Sequence, residues 1–136
     1  MRNRRLTKLS LLTALMFLAA ASVGLTVRAE PDSGSLAGTY TREFTGAAGR
    51  VTETLEVKAD KTVVWTSNYP GRAPLVQSGI WNSRGETLIL VLDKRDGEKM
   101  PAEERLVFDR KGKNLKGRIY DKNVHGNSGL VFHRAG

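Results

Sequence analysis

The chain of 136 residues has no cysteine. That excludes disulfides, thiolate metal sites and the lipid-bearing cysteine of a bacterial lipoprotein. Other soft ligands are scarce. There are two histidines, His125 and His133, and three methionines, of which only Met100 lies outside the N-terminal segment. Past residue 25 there is no long apolar run and no helical period. Neither a glycine-rich phosphate loop nor a zinc-protease helix motif occurs, which removes the nucleotide and zinc-hydrolase classes with clear signatures.

What is present begins with a targeting segment at residues 1–29. Met1 to Lys8 is basic, Leu9 to Leu25 is apolar or small without charge, and Val27-Arg28-Ala29 is a small-x-small processing site. This pattern predicts a secretory signal peptide, with an uncleaved anchor helix as the other reading. Residues 30–35 form a polar linker, and residues 36–136 form the folded domain. Of the 22 basic residues, five lie at or before residue 28, leaving 17 against 14 acidic ones, a net charge of +3. A mildly basic exported domain is expected, not a nucleic-acid binder. About 107 residues must fold by hydrophobic burial alone, which this length allows.

The residues from Leu75 to Asp93 carry the clearest pattern. Leu75–Asn82 and Thr87–Asp93 read as two strands about a turn at Ser83–Glu86. Gly79 and Trp81 share a face, which predicts room for the indole beside the glycine. The second strand is apolar on both faces, so it is expected to be central and covered on both sides. Around it, period-two alternation predicts strands at Leu36–Phe44, Arg50–Lys58, Thr62–Asn68, Glu104–Arg110, Leu115–Tyr120 and Leu130–Arg134. Thr45–Gly49, Tyr69–Pro74, Lys94–Glu103 and Asp121–Gly129 read as loops. Eight short strands in succession predict an all-β fold, a small antiparallel up-and-down barrel of the lipocalin-like kind. An interior of that size is filled by side chains or holds one small ligand.

The order of several short motifs resembles the N-terminal domain of the NlpE-type copper-resistance lipoproteins of bacterial envelopes. These motifs are Leu36-Ala-Gly-Thr-Tyr40, Val51-Thr-Glu-Thr-Leu-Glu-Val57 with the turn at Ala59-Asp60-Lys61-Thr62, Tyr69 with Gly71, Ser78-Gly-Ile-Trp81, and Leu88-Ile-Leu90 before Asp96-Gly97. The resemblance spans Leu36 to Gly97. It implies a lipocalin-like barrel with a role in copper tolerance or envelope stress. The family's Cys-x-x-Cys falls where this chain has Gly46-Ala47-Ala48-Gly49, and its lipidation cysteine is missing too. Thiol metal handling and lipid anchoring are therefore not expected here.

The remaining candidates are sorted by residue type. Tyr40, Trp65, Trp81, Phe108 and Phe132 are inward rings that either line an apolar ligand cavity or fill the core. His125, His133 and Met100 are the weak metal candidates, without metal-ligand spacing. Lys111, Lys113, Lys116, Arg118 and Lys122, together with Arg110, form a basic surface whose strand part, with Tyr120, is expected to face outward opposite Leu115, Gly117 and Ile119. It is either a solvated face or a contact for an anionic envelope surface or acidic partner. Glu103 and Glu104 are adjacent, so they point to opposite faces and cannot work as a pair. Ser128, His125 and Asp121 supply triad residue types without triad context. The expectation is a non-enzymatic binding module without cofactor, in the periplasm or outside the cell. Its partner would be an envelope protein or a small apolar ligand. An inhibitor presenting Tyr69–Pro74 to an extracellular enzyme is a further reading.

Overall fold

A computed structural model describes residues 35–136; the expected signal peptide and nearly all of the expected linker lie outside the described residues. The strands are β1 (Gly38–Gly46), β2 (Gly49–Val57), β3 (Thr62–Asn68), β4 (Leu75–Arg84), β5 (Thr87–Arg95), β6 (Glu98–Lys111), β7 (Asn114–Ile119) and β8 (Val131–Arg134), with one helical turn, α1 (Lys122–His125), between the last two. Each strand pairs antiparallel with the next, and β8 returns to β1, closing the barrel. The expected all-β, up-and-down, eight-stranded barrel is what forms. Inward residues are apolar apart from Arg42, Glu53, Ser67 and Gln77, while outward ones are mostly Thr, Glu, Lys and Arg. This is the reverse of a membrane-spanning barrel, whose apolar band faces outward.

The antiparallel order gives the barrel two distinct ends. At the basal end lie the chain entry at Leu36 and the β2–β3, β4–β5 and β6–β7 turns. At the mouth lie the β1–β2 turn, the Tyr69–Pro74 loop, the β5–β6 turn and the segment carrying α1. Fifteen inward side chains form one core cluster, from Leu36 and Tyr40 through Leu55, Trp65 and Leu90 to Phe132. Burying side chains of this size stabilises the fold by about 1.5–3 kcal/mol each, measured against an exposed reference.

The seam between β1 and β8 is short. Only Tyr40–Arg134 and Thr41–His133 pair across it. A polar clamp reinforces that closure at the basal end. Arg134 donates from Nη2 to the Ala37 carbonyl (2.7 Å) and from Nη1 to the Tyr40 hydroxyl (3.1 Å), and that hydroxyl donates to the Leu36 carbonyl (2.7 Å). A side chain on Gly38 would stand 2.7 Å from Arg134 Nη2, so glycine makes room for the guanidinium.

Several segments depart from their sequence reading. Lys94–Glu103 is not a loop. β5 continues to Arg95, the chain turns at Asp96-Gly97 (φ 51° and 86°), and β6 starts at Glu98. The turn docks on β4, where Asp96 Oδ1 accepts from the Val76 amide (3.0 Å) and the Asp96 amide donates to the Val76 carbonyl (2.6 Å). Between Leu92–Glu104 and Lys94–Lys99 the ladder slips, and residues 100–103 bow out opposite Asp93. Pro101 sits in that bow, where no ladder amide is required of it. Likewise, Thr45–Gly49 is mostly strand, because Gly46 pairs with Gly49 and only Ala47-Ala48 turns. Strand β5 is not covered on both sides: Leu88, Leu90 and Leu92 are buried, but Ile89 and Val91 face the outer wall half-buried. A barrel closes on itself, so each strand has one covered face.

Two further corrections concern side-chain direction. Gly79 does serve a close approach, but of backbone and not of the Trp81 ring. An added Cβ would overlap the Val91 carbonyl oxygen and stand 2.9 Å from Leu92 Cα, where β4 crosses the bulge of β5. In β7 the register shifts between the Val107–Ile119 and Phe108–Gly117 pairs, leaving Arg118 as the extra residue. Parity therefore inverts. Ile119 faces out, 54% exposed, and Tyr120 turns in to pack against the core.

Candidate functional site

The interior changes character toward the mouth. Below, it is aliphatic and aromatic; above, it holds charged groups fixed by one another. Arg42 and Glu53 both stand on the inward faces of their strands. Arg42 Nε donates to Glu53 Oε1 (2.8 Å), and Ser67 Oγ donates to Glu53 Oε2 (2.8 Å). Glu53 is 5% exposed, yet both its oxygens are bonded, which is the condition for burying a carboxylate. The Arg42 guanidinium also lies 4.4 Å from the Phe44 ring centroid. The sequence reading missed this pair. The available signal was a charged residue of each sign on otherwise inward faces.

The second group hangs from α1. Asp121 caps that turn, accepting from the Asn123 amide (2.9 Å), and so directs His125 into the mouth. His125 Nε2 donates to Glu104 Oε2 (2.8 Å); an ionised carboxylate only accepts, so Nε2 carries the proton. The imidazole stacks on Trp65 at 5.2 Å and meets Tyr120 edge-on at 6.3 Å. The bond from His125 holds the Glu104 carboxyl below the usual carboxylate range, against the opposing pull of burial. Beneath the imidazole, Trp65 Nε1 is buried and has no hydrogen-bond partner among the described residues.

Between β1 and α1–β8, where the seam ladder has ended, runs a groove of about 570 Å³. Arg42, His125 and His133 line it together with Phe44, Val124 and Val131. The two histidines expected in separate places thus border one groove. His133 Nδ1 is held by Asn114 Oδ1 (2.9 Å), and Met100 borders a different groove with Pro101. Among the described residues no three His, Cys, Asp or Glu side chains converge as a metal set.

The five candidate rings all join the core cluster. Phe132 is central, meeting Trp65 edge-on at 5.1 Å and Phe108 at 6.0 Å. Trp81 is 7% exposed and donates from Nε1 to the Lys58 carbonyl (2.7 Å). The basic candidates are dispersed. Lys111 and Lys113 sit at the basal end, Lys116 on the outer wall and Lys122 at the mouth. Arg118 is engaged by Asp109 (2.8 Å). Ser128, His125 and Asp121 are not assembled, since Asp121 caps the helix and His125 is bound to Glu104.

The fold and this arrangement define a class: a closed eight-stranded antiparallel barrel with an apolar core and a polar, half-open mouth. Comparison with protein-family models, with curated proteins and with solved structures finds no match to this chain.

Proposed function

We propose that this is an exported, non-enzymatic binding module whose site is the groove at the mouth, between β1 and the α1–β8 segment. One observation carries the reading: the β1–β8 ladder stops after two pairs, and the wall beyond it is a groove bordered by Arg42, His125 and His133 beside Phe44, Val124 and Val131. Hydrogen-bonding groups, Glu43 among them, beside apolar ones suit a small amphiphile with a polar head. The motif order resembling that of the NlpE-type lipoproteins supports an envelope setting, with stress or copper tolerance as its physiological context.

A carrier role, with a small apolar ligand inside the barrel, is the second reading. It is favoured by the unpartnered Trp65 Nε1 beneath the His125 lid. Titration of residues 30–136 with laurate, followed by amide chemical shifts, tests both. Shifts confined to Arg42–Thr45 and Val124–Gly129 support the groove. Shifts concentrated at Trp65, Phe108 and Phe132 favour the interior, and no saturable shift anywhere removes both.

A further inference from the structure

We propose that the basal end of the barrel is a docking surface for anionic phospholipid headgroups. The basal turns carry Lys58, Lys61, Arg84, Lys111 and Lys113, all exposed, against Asp60 and Glu86. Both carboxylates are already engaged. Asp60 accepts from the Thr62 amide (3.0 Å) and hydroxyl (2.6 Å), and Glu86 is held by Arg110 through both oxygens (2.6 and 2.9 Å). The turns and loops at the mouth balance, with Arg72, Arg95 and Lys122 against Asp96, Glu98 and Asp121, although Lys94 and Lys99 are exposed on the strand ends behind them. The positive excess among the turns therefore sits at one end.

Two further observations select a lipid surface over an acidic protein. The chain enters the barrel at this same end, and only the ten residues from Thr26 to Ser35 separate Leu36 from the uncharged apolar run ending at Leu25. Ten residues reach at most about 35 Å. Were that run held in a bilayer, the chain would tether the barrel by its basal end. Beside Arg84, moreover, the outer wall carries Ile80, 58% exposed, over a groove of about 440 Å³ shared with Ile89, Val91 and Arg105. Basic residues next to exposed aliphatic ones are the composition of an interfacial contact.

Cosedimentation with vesicles tests this on residues 30–136, which contain the whole core cluster and every strand pair. The chain is expected to partition onto vesicles containing phosphatidylglycerol at low salt and not onto pure phosphatidylcholine. One molar salt, where the screening length falls to about 3 Å, is expected to release it. Each basic residue near such a surface contributes about fivefold, so K58Q/R84Q/K111Q/K113Q should lower partition several-hundred-fold, to about the phosphatidylcholine level. The mouth variant R72Q/R95Q/K122Q should bind as the parent does; far-UV circular dichroism checks that both variants fold. No phosphatidylglycerol-dependent partition, retention at one molar salt, or an equal loss in the two variants overturns the proposal. So does capture by polyglutamate without capture by vesicles, which would assign the basal end to an acidic protein.

Discussion

At the scale of single residues, three positions show how differently burial can be stabilised. Trp81 closes the basal core, with its indole N–H on the Lys58 carbonyl and Lys61 Nζ 4.2 Å from its ring centroid. Trp81→Ala is expected to cost about 3–5 kcal/mol in urea unfolding, through lost burial and the cavity left behind. Gly79 faces backbone that cannot yield as a flexible side chain would. Gly79→Ala should therefore cost on the order of 3 kcal/mol by forcing β4 off β5, and the same unfolding series measures it. Glu53 is a buried anion that depends on Arg42 and Ser67. Glu53→Gln leaves the Arg42 guanidinium, with 11% of its side chain exposed, without its counter-charge; the expected loss is about 3–5 kcal/mol. Replacing Arg42 and Glu53 together by leucine and methionine should recover most of that loss, because the desolvation penalty then disappears with the charges.

At the scale of elements, α1 is the part with a pH signature. It contributes no buried residue of its own class to the core, but it inserts His125 against Trp65 and Glu104. The Glu104 carboxyl has its pKa lowered in the folded state. Its contribution is therefore present above the ordinary carboxylate value of about 4.3 and is lost as pH falls through the depressed one. His125→Ala should cost about 1.5–3 kcal/mol at neutral pH for the bond to the charged carboxylate. The gap between variant and parent should narrow below about pH 4, leaving only the part due to lost stacking. Urea midpoints measured at neutral and acidic pH check this, and a gap independent of pH would assign His125 a packing role alone. The elements also differ in how readable they were. Strands β2, β3 and β8 follow plain alternation, whereas the β5–β6 arm is a run of charges that becomes strand because Asp96 docks on Val76. The single turn of α1 is too short to leave a period.

At the scale of the whole molecule, the absence of cysteine governs the chemistry open to the barrel. Cu(I) favours thiolate and thioether ligands, and Met100 borders a different groove from the one that brings His125 and His133 together. One nitrogen of each imidazole is already bonded, to Glu104 and Asn114. Titration calorimetry with Cu(I) and Cu(II) should therefore find no stoichiometric site tighter than about micromolar, an affinity equivalent to about 8 kcal/mol. A tighter site abolished by His125→Ala or His133→Ala would restore a metal role through imidazoles.

The class of fold is written in the alternation of the strands and the spacing of the turns. Period-two alternation sets which face of each strand is apolar, and short polar turns between successive strands leave a meander that closes when its edges meet. It also placed the inward rings, since alternation alone puts Trp65, Trp81, Phe108 and Phe132 in the core. Only the tertiary structure decided where alternation fails. The bulges at Asp93 and Arg118 exist because closing a twisted barrel requires extra residues at particular points, and each one inverts the faces beyond it. Only the tertiary structure, too, united Arg42 with Glu53 and His125 with Glu104. Those partners lie 11 and 21 residues apart, and nothing local to either residue selects the other until the β1–β2 register and the placement of α1 bring them together. The division of charge between the two ends arises the same way: the turns at each end are separated in sequence and gathered only by the up-and-down path of the chain.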